Sequence, residues 1–303
     1  MIIRTQALSK TYNKDNIIGP LSVEIPEGQV FGLLGPNASG KSTTIRMLAG
    51  VIEPDSGSAQ IADMDLSKQA NAIKNKIGYV SQHFGLYAEL SVLENIRFYA
   101  SLYGIVDEMR FEHLLSKYEL VLYRDVKAGK LSGGYQRRLS LVCALAHDPT
   151  LLFLDEPTAG IDPVTRKKIW DIFYTLVSEG KTLFVTTHYM EEAERCNEIA
   201  FLNRGKIISQ GTPKSIQNSL LNYDIYSFKQ AFEHSMLEVL NKHTDIVLIN
   251  QFGYEVRIMT NKTFHEDPLK HLMQPYVEGE VVLSKTEANL EDVFIALTQE
   301  VEE

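Results

Sequence analysis

Gly35-Pro36-Asn37-Ala38-Ser39-Gly40-Lys41-Ser42 constrains this chain more than any other stretch. It follows Val30–Leu34, an apolar run that reads as a buried strand, and leads into Lys41–Ala49, which reads as a helix stopped at Gly50. A glycine-rich turn in that position lets the backbone wrap an anion. Free N–H groups and the helix dipole then face the anion, and Lys41 adds a full positive charge. The Ser42 hydroxyl is of the type that ligates Mg²⁺. Taken alone, the pattern specifies a nucleotide phosphate site on the edge of an α/β sheet.

Leu151-Leu152-Phe153-Leu154 reads as a second buried strand, and it delivers Asp155 and Glu156 at its C-terminal end. That edge is where open α/β sheets bind ligands. One carboxylate there can serve a magnesium shell while its neighbour orients or deprotonates an attacking water. A solvated acidic turn after a strand is the ordinary reading of such residues, and the phosphate loop upstream displaces it.

Around these two strands the pattern alternates. Further strands are expected at Ile2–Leu8, Leu21–Ile25, Ile77–Ser81 and Leu183–Thr186. The capping box Ser91-Val92-Leu93-Glu94 starts a helix running to about Gly104, and a second covers roughly Asp107 to Leu120. A third begins after Gly134, and Asp162 as N-cap with Pro163 opens a fourth that ends near Gly180. Within it, Trp170, Phe173, Tyr174 and Val177 share helical spacing and read as core. A short helix follows His188, and a hairpin crosses Asn203-Arg204-Gly205. Such alternation predicts a parallel sheet covered on both faces, with residues 89–147 as an inserted helical lobe. After Gly211-Thr212-Pro213 the character changes. Tyr223–Phe228, Ile246–Asn250 and Tyr254–Met259 alternate like half-exposed strands, which predicts a small α+β domain of β-α-β-β-α-β type over 214–303.

Several function classes fall away on composition. The net charge of −9 argues against non-specific binding to nucleic acid, where a basic surface supplies most of the affinity. Cys143 and Cys196 lack CxxC spacing and read as reduced thiols. No basic leader precedes a long apolar stretch, and no run approaches the ~18 apolar residues of a membrane span. The longest candidate, Leu139 to Leu154, is broken by His147, Asp148 and Pro149. A role at a membrane is therefore expected to come through a partner.

Leu131-Ser132-Gly133-Gly134-Tyr135-Gln136 decides the family. A Gly-Gly turn before a helix is common, and a second serine- and glycine-rich helix N-terminus is also another anion cradle. Here the chain resembles the ABC ATPase family, whose LSGGQ signature this stretch copies closely. Other elements of that family fall in order. Tyr12 sits where an aromatic ring meets adenine, Gln82 where the Q-loop lies, Ala159-Gly160-Ile161-Asp162 where the D-loop lies, and His188 where the switch histidine lies. The resemblance covers about 200 residues. It departs at Ala38, where most members carry a third glycine, and at Tyr135, inserted in the signature. An L-residue forced to positive φ at position 38 would cost on the order of 1 kcal/mol.

The resemblance implies a P-loop, RecA-like ABC ATPase core over 1–213, with antiparallel β and helical subdomains, followed by the small α+β domain. It implies ATP and Mg²⁺ as cofactors. Lys41 and the backbone of residues 37–43 (Asn37, Ala38, Ser39, Gly40, Ser42 and Thr43 among them) would hold the phosphates. Ser42, Gln82 and Asp155 would serve the metal, Glu156 would be the general base, and His188 would hold the γ-phosphate and the lytic water. Ser132, Gly133 and Gly134 would reach that phosphate from a second protomer in a head-to-tail dimer, beside Asp162. The partner would be an identical chain or a homologue. A separate transmembrane permease would dock near His83–Ser91, an apolar and aromatic stretch that ordinary lobe packing explains equally well. The chain would then lie on the cytoplasmic face of the membrane.

Thr187-His188-Tyr189-Met190-Glu191-Glu192-Ala193-Glu194 and Leu290–Thr298 resemble the ABC-2 type drug and antibiotic exporters. An importer ATPase would share the core but usually carries a different C-terminal domain. Repair and chromosome members place a long coiled coil between phosphate loop and signature, and here only about 90 residues separate Ser42 from Ser132. Translation-type members carry two ATPase domains, against one here. On the last helix, Leu290, Val293, Phe294 and Leu297 share a face suited to a neighbour, in this chain or in another protomer.

Overall fold

The computed structural model describes residues 1–13, 16–82 and 85–299. These residues divide into two compact units, one up to Gln210 and one from Gly211 onward.

In chain order the first unit begins β1 (Ile3–Asn13), β2 (Asn16–Leu21), β3 (Glu24–Ile25), β4 (Val30–Leu34) and α1 (Lys41–Leu48). It continues β5 (Ser56–Ile61), β6 (Met64–Asp65), α2 (Leu66–Lys74), β7 (Ile77–Val80), α3 (Val92–Ser101), α4 (Glu108–Lys117) and α5 (Gly133–Leu145). Then come β8 (Leu151–Asp155), α6 (Pro163–Ser178), β9 (Thr182–Thr187), α7 (Met190–Ala193), β10 (Glu198–Asn203) and β11 (Lys206–Gly211). One sheet has the order β11-β10-β4-β9-β8-β7, and the five strands from β10 to β7 pair in parallel. Every residue of β4, β8 and β9 is buried, as continuous apolar strands in a doubly covered parallel sheet must be. The second sheet runs β2-β1-β5-β6 with β3 also on β1, and its mapped pairs are antiparallel.

The expected strand at Leu21–Ile25 is divided. Leu21 closes β2 opposite Leu8, while Glu24 and Ile25 pair with Arg4 and Ile3 at the other end of β1. On α6, Trp170, Phe173 and Leu176 are buried, but Tyr174 is 43% exposed. Tyr174 lies along the rim of the stripe, touching Trp170 with its ring and donating its hydroxyl to the Arg195 carbonyl at 3.4 Å. In the expected lobe, α3 carries the full Ser91–Glu94 capping box and packs on α5. Arg110 of α4 donates to the carbonyls of Ala146 and Leu145 at 2.7 and 3.0 Å, satisfying groups that the end of α5 leaves open.

The second unit follows as α8 (Pro213–Gln217), β12 (Tyr223–Phe228), α9 (Ser235–Leu240), β13 (Ile246–Phe252), β14 (Glu255–Asn261), α10 (Glu266–Met273), β15 (Leu283–Thr286) and α11 (Leu290–Gln299). From β12 to β15 this is the β-α-β-β-α-β order, laid out as an antiparallel sheet β13-β14-β12-β15. Its core joins Phe228, Val256 and Ile258 to Met236, Leu240, Leu269 and Met273 from the helices. Helix α11 packs on α8 and β13 of its own chain, burying Leu290, Val293 and Ala296. Its N-terminus is pinned by a buried ion pair. Arg257 Nη2 donates to Asp292 Oδ2 at 2.6 Å and to the Glu287 carbonyl at 2.9 Å, and the Asn289 amide donates to the same carboxylate at 3.0 Å. Removing one partner of a buried pair strands the other charge. Arg257→Ala is therefore expected to destabilise this unit by about 3–5 kcal/mol, read as a lowered midpoint in urea; an unchanged midpoint would show that the pair carries no stability.

Candidate functional site

The strand order places four C-terminal strand ends side by side, β4, β9, β8 and β7. Each carries polar residues onto the same edge: Gly35–Ser42 after β4, His188 after β9, Asp155 and Glu156 from β8, and Gln82 after β7.

The loop after β4 is shaped by two glycines. A side chain on Gly35 would meet the Leu202 carbonyl at 2.1 Å and Ser39 Oγ at 2.6 Å, and Gly40 holds φ +108° at the N-cap of α1. Ala38 holds φ +63°, so the strain expected of an L-residue at this position is present. Helix α1 has no side-chain N-cap. The amides of Gly40 to Thr43 therefore have no acceptor within the helix and face out from its end. Lys41 is 5% exposed; its Nζ donates to the carbonyls of Gly35 and Pro36 at 2.8 and 3.1 Å and lies 3.4 Å from Glu156 Oε1. Ser39 is also buried, with an Oγ that has no hydrogen-bond partner among the described residues.

The two acids divide their partners. Asp155 Oδ1 accepts from Ser42 Oγ at 3.1 Å and from Thr186 Oγ1 at 2.7 Å. Asp155 Oδ2 is buried with no hydrogen-bond partner among the described residues. A bare carboxylate oxygen in a buried site is costly unless something positive meets it. Glu156 takes φ +46°, and its amide donates to the backbone and side-chain oxygens of Thr186 at 3.1 and 3.0 Å. Its Oε2 accepts from Gln82 Nε2 at 3.0 Å and lies 3.3 Å from His188 Nδ1. Lys41, Ser42, Gln82, Asp155, Glu156 and His188 thus form one cluster.

Two members of this arrangement were not foreseen. Thr186 appears in the sequence only as the end of a strand. Its role follows from register, because Asp155 and Thr186 are direct partners across parallel strands. Arg137 of α5 donates to the carbonyls of Ser81, at 2.8 Å, and Gln82, so it braces the backbone that carries Gln82. Burial holds its guanidinium below the usual arginine range, against the pull of Asp155 and Glu156.

The remaining expected residues stand apart. Among the described residues no hydrogen bond or ion pair joins Ser132, Gly133 or Gly134 to the cluster. Ser132 is the N-cap of α5, without a side-chain cap bond, and is exposed. A side chain on Gly134 would meet Thr165 Cγ2 at 2.7 Å, whereas one on Gly133 would meet nothing. Tyr135 packs its ring 4.3 Å from that of Tyr123. Asp162 caps α6, accepting from the amides of Val164 and Thr165 at 3.1 and 3.0 Å, with its carboxyl held below the usual range chiefly by the Thr165 hydroxyl. Tyr12 is 51% exposed on β1. His83 and Phe84 lie outside the described residues. Of the rest of that stretch, Tyr87, Leu90 and Ser91 are gathered around the buried Asn95. Its Nδ2 donates to their three carbonyls at 3.0, 3.2 and 2.9 Å, and its Oδ1 accepts from the Tyr87 amide at 3.0 Å.

Known proteins resemble this chain in sequence and in fold. The family model described as ABC transporter matches residues 18–159. The chain is 35% identical over 289 residues to the probable multidrug ABC transporter ATP-binding protein YbhF of Escherichia coli, covering 92% of this chain and 49% of YbhF. This chain thus spans about half the length of that relative. It is 34% identical over 301 residues to the Nod factor export ATP-binding protein I of Cupriavidus metallidurans, covering 98% of this chain and 97% of that protein. Among solved structures, the ATP binding subunit of an ABC transporter superposes with a TM-score of 0.66 at 27% identity, covering 72% of this chain and 93% of that one. The dimeric ATP-binding cassette MJ0796 bound to ADP and Pi gives 0.64 at 28%, covering 69% and 98%. With its phosphate loop, paired acids and histidine on one sheet edge, and with the Nod factor export relative matched over nearly its whole length, the chain belongs to the ATP-binding proteins of ABC transporters.

Proposed function

We propose that this chain hydrolyses ATP to drive an ABC-2 type exporter, working as one of two cassettes that close head to tail beneath a separate membrane subunit. The observation that carries the reading is the convergence of Lys41, Ser42, Asp155, Glu156, Gln82 and His188 on four adjacent strand ends. Lys41 and the backbone of residues 37–43, with outward amides at 40–43, bind the β- and γ-phosphates, in place of the loop carbonyls that Lys41 Nζ otherwise meets. Ser42 Oγ and Asp155 fit Mg²⁺, because Asp155 Oδ2 is buried and unpartnered and both groups are hard oxygen donors. When bound, the ion would draw charge from the phosphate oxygens. Gln82, whose nitrogen donates to Glu156, would have its amide oxygen left to serve that ion. Glu156 takes the proton of the attacking water, and His188, 3.3 Å from its carboxylate, holds the water and the γ-phosphate in line. Tyr12 offers an exposed ring for the adenine.

Gly133 supports the second half of the site. Its own chain sets no steric demand for glycine there, so a phosphate approaching from another protomer finds the α5 N-terminus open. Ser132 and Gly134 flank it, and Asp162 lies on the facing loop. The partner is a second copy or a homologous cassette. The loop ordered by Asn95 offers the permease a preformed surface, which would hold the chain at the cytoplasmic face. Among the described residues no helix is long and apolar enough to cross a membrane. Export rather than import is favoured by the relatives named for multidrug and Nod factor export.

Turnover of ATP by the purified chain is expected to require Mg²⁺ and to fall about tenfold or more in Asp155→Asn. Equal, metal-independent rates in both would remove Asp155 from the reaction. For transport, the tagged chain is recovered from native membranes solubilised with ATP. A stoichiometric polytopic membrane protein of the ABC-2 type is the expected companion. Ribosomal proteins or DNA in its place would leave the ATPase standing and overturn the exporter.

A further inference from the structure

Glu192 is 1% exposed, a carboxylate placed where an apolar side chain would be cheaper to bury. It sits on α7, outside the cluster described above, and both of its oxygens are engaged. Oε1 accepts from the hydroxyl of Thr158, two residues after Glu156, and Oε2 accepts at 2.7 Å from the hydroxyl of Thr187, the residue before His188. Thr187 Oγ1 in turn accepts from the Tyr189 amide at 3.1 Å, so this hydroxyl both donates and accepts. Cys196 Sγ donates to the Glu192 carbonyl at 3.4 Å, holding the helix that carries it.

The compensating charge comes from Arg166 of α6, whose Nε lies 3.6 Å from Glu192 Oε1. The same guanidinium donates to the Ile161 carbonyl at 3.4 Å and lies 4.6 Å over the Tyr189 ring. That ring is 4.1 Å from the imidazole of His188. Glu191, 3.9 Å from Arg166 and largely exposed, stands at the rim of this group. One buried carboxylate and one guanidinium therefore tie the loop 158–162, after Glu156, to the segment 187–189 that carries His188.

We propose that Glu192 is a positioning residue for hydrolysis: it fixes the Thr158 and Thr187 hydroxyls, and through them sets loop 158–162 and His188 in one register around Glu156. This rests on the reading of Glu156 and His188 as the water-handling pair. Glu192 is buried, and its carboxylate is engaged by Thr158, Thr187 and Arg166 rather than by the phosphate loop, so its loss should slow the chemical step and leave nucleotide affinity alone.

The test uses the purified full chain, with kcat and KM for ATP, the affinity for a fluorescent ATP analogue and the melting temperature measured in parallel. In Glu192→Ala the two hydroxyls and Arg166 lose their shared anchor; kcat is expected to fall about 10- to 100-fold, as small misplacements near reacting groups do, with analogue affinity held within about threefold. Glu192→Gln keeps an acceptor for one threonine and a donor the other can turn to meet, and should recover kcat to within about fivefold of wild type. Thr158→Val with Thr187→Val removes the linkage from the other side, and combining it with Glu192→Ala should add less than about twofold, since groups acting as one unit are not additive. If Glu192→Ala fails to fold, the threonine pair carries the same comparison. Unchanged kcat in either, or parallel loss of kcat, affinity and melting temperature in both the alanine and glutamine variants, overturns the proposal. A wrong base assignment would show separately, as Glu156→Gln retaining turnover while the Glu192 series still departs from wild type.

Discussion

Glu156→Gln is expected to bind ATP as tightly as the wild type and to hydrolyse it about 10²- to 10⁴-fold more slowly, the range that a positioned general base contributes. The substitution is close to isosteric, and an amide oxygen can still accept from Gln82 Nε2, now at 3.0 Å from the carboxylate. The backbone at position 156, at φ +46° and held by two bonds to Thr186, need not move. What is lost is the proton acceptor. Loss of the negative charge 3.4 Å from Lys41 also leaves the ammonium freer for phosphate, so affinity should hold or rise. Phosphate release and binding of a fluorescent ATP analogue check both halves, and the ATP-bound variant should elute as a dimer. Turnover within twofold of wild type would remove Glu156 as the base.

Lys41→Ala should fail at the earlier step. A charge-assisted hydrogen bond to phosphate contributes about 1.5–3 kcal/mol, so ATP affinity should drop by about 10- to 200-fold. The change also leaves Glu156, only 7% exposed, without its nearest cation, and removes the donor from the Gly35 and Pro36 carbonyls. A lowered melting temperature should therefore accompany weaker binding. The ratio of the two separates this variant from Glu156→Gln, in which affinity and stability stay and only the rate falls. Undiminished ATP affinity in Lys41→Ala would mean that the phosphates lie elsewhere.

The parts of this molecule visible in the sequence are those where one periodicity or one local rule dominates. Val30–Leu34, Leu151–Leu154 and Tyr223–Phe228 read correctly because buried strands are apolar runs or clean alternations. The Ser91 cap is legible because its box pairs residues three apart, and the Asp162 cap because Pro163 marks the first helical position. Ser56–Ile61 and Leu66–Lys74 went unread. The strand is small and polar with four of its six residues exposed, and the helix buries only Leu66 and Ile73, so neither presents a face to recognise. Tyr174 shows the limit of spacing alone. A residue at the edge of an apolar stripe has the right period and still meets water.

The site divides in the same way. Residues within contiguous motifs were legible. Thr186 depends on the register of two strands, and Glu192 and Arg166 on the packing of helices against loops. Glu156 adopts a backbone conformation that its residue type disfavours, imposed by the bonds from its amide to Thr186 and by no local preference. None of these leaves a trace in a single sequence read by spacing.

The brace from Arg137 to the carbonyls of Ser81 and Gln82 has a mechanical consequence. Arg137 stands about one helical turn beyond Gly133, some 6 Å along the same rigid rod. The backbone at Gln82 and the exposed tip of α5 are thereby geared together. A sideways push on residues 81–82 would bear on the glycine pair, and pressure on the glycine pair would bear on Gln82, whose amide nitrogen donates to Glu156. A load applied to the outside of the chain would thus have a path of two side chains, Arg137 and Gln82, to that carboxylate.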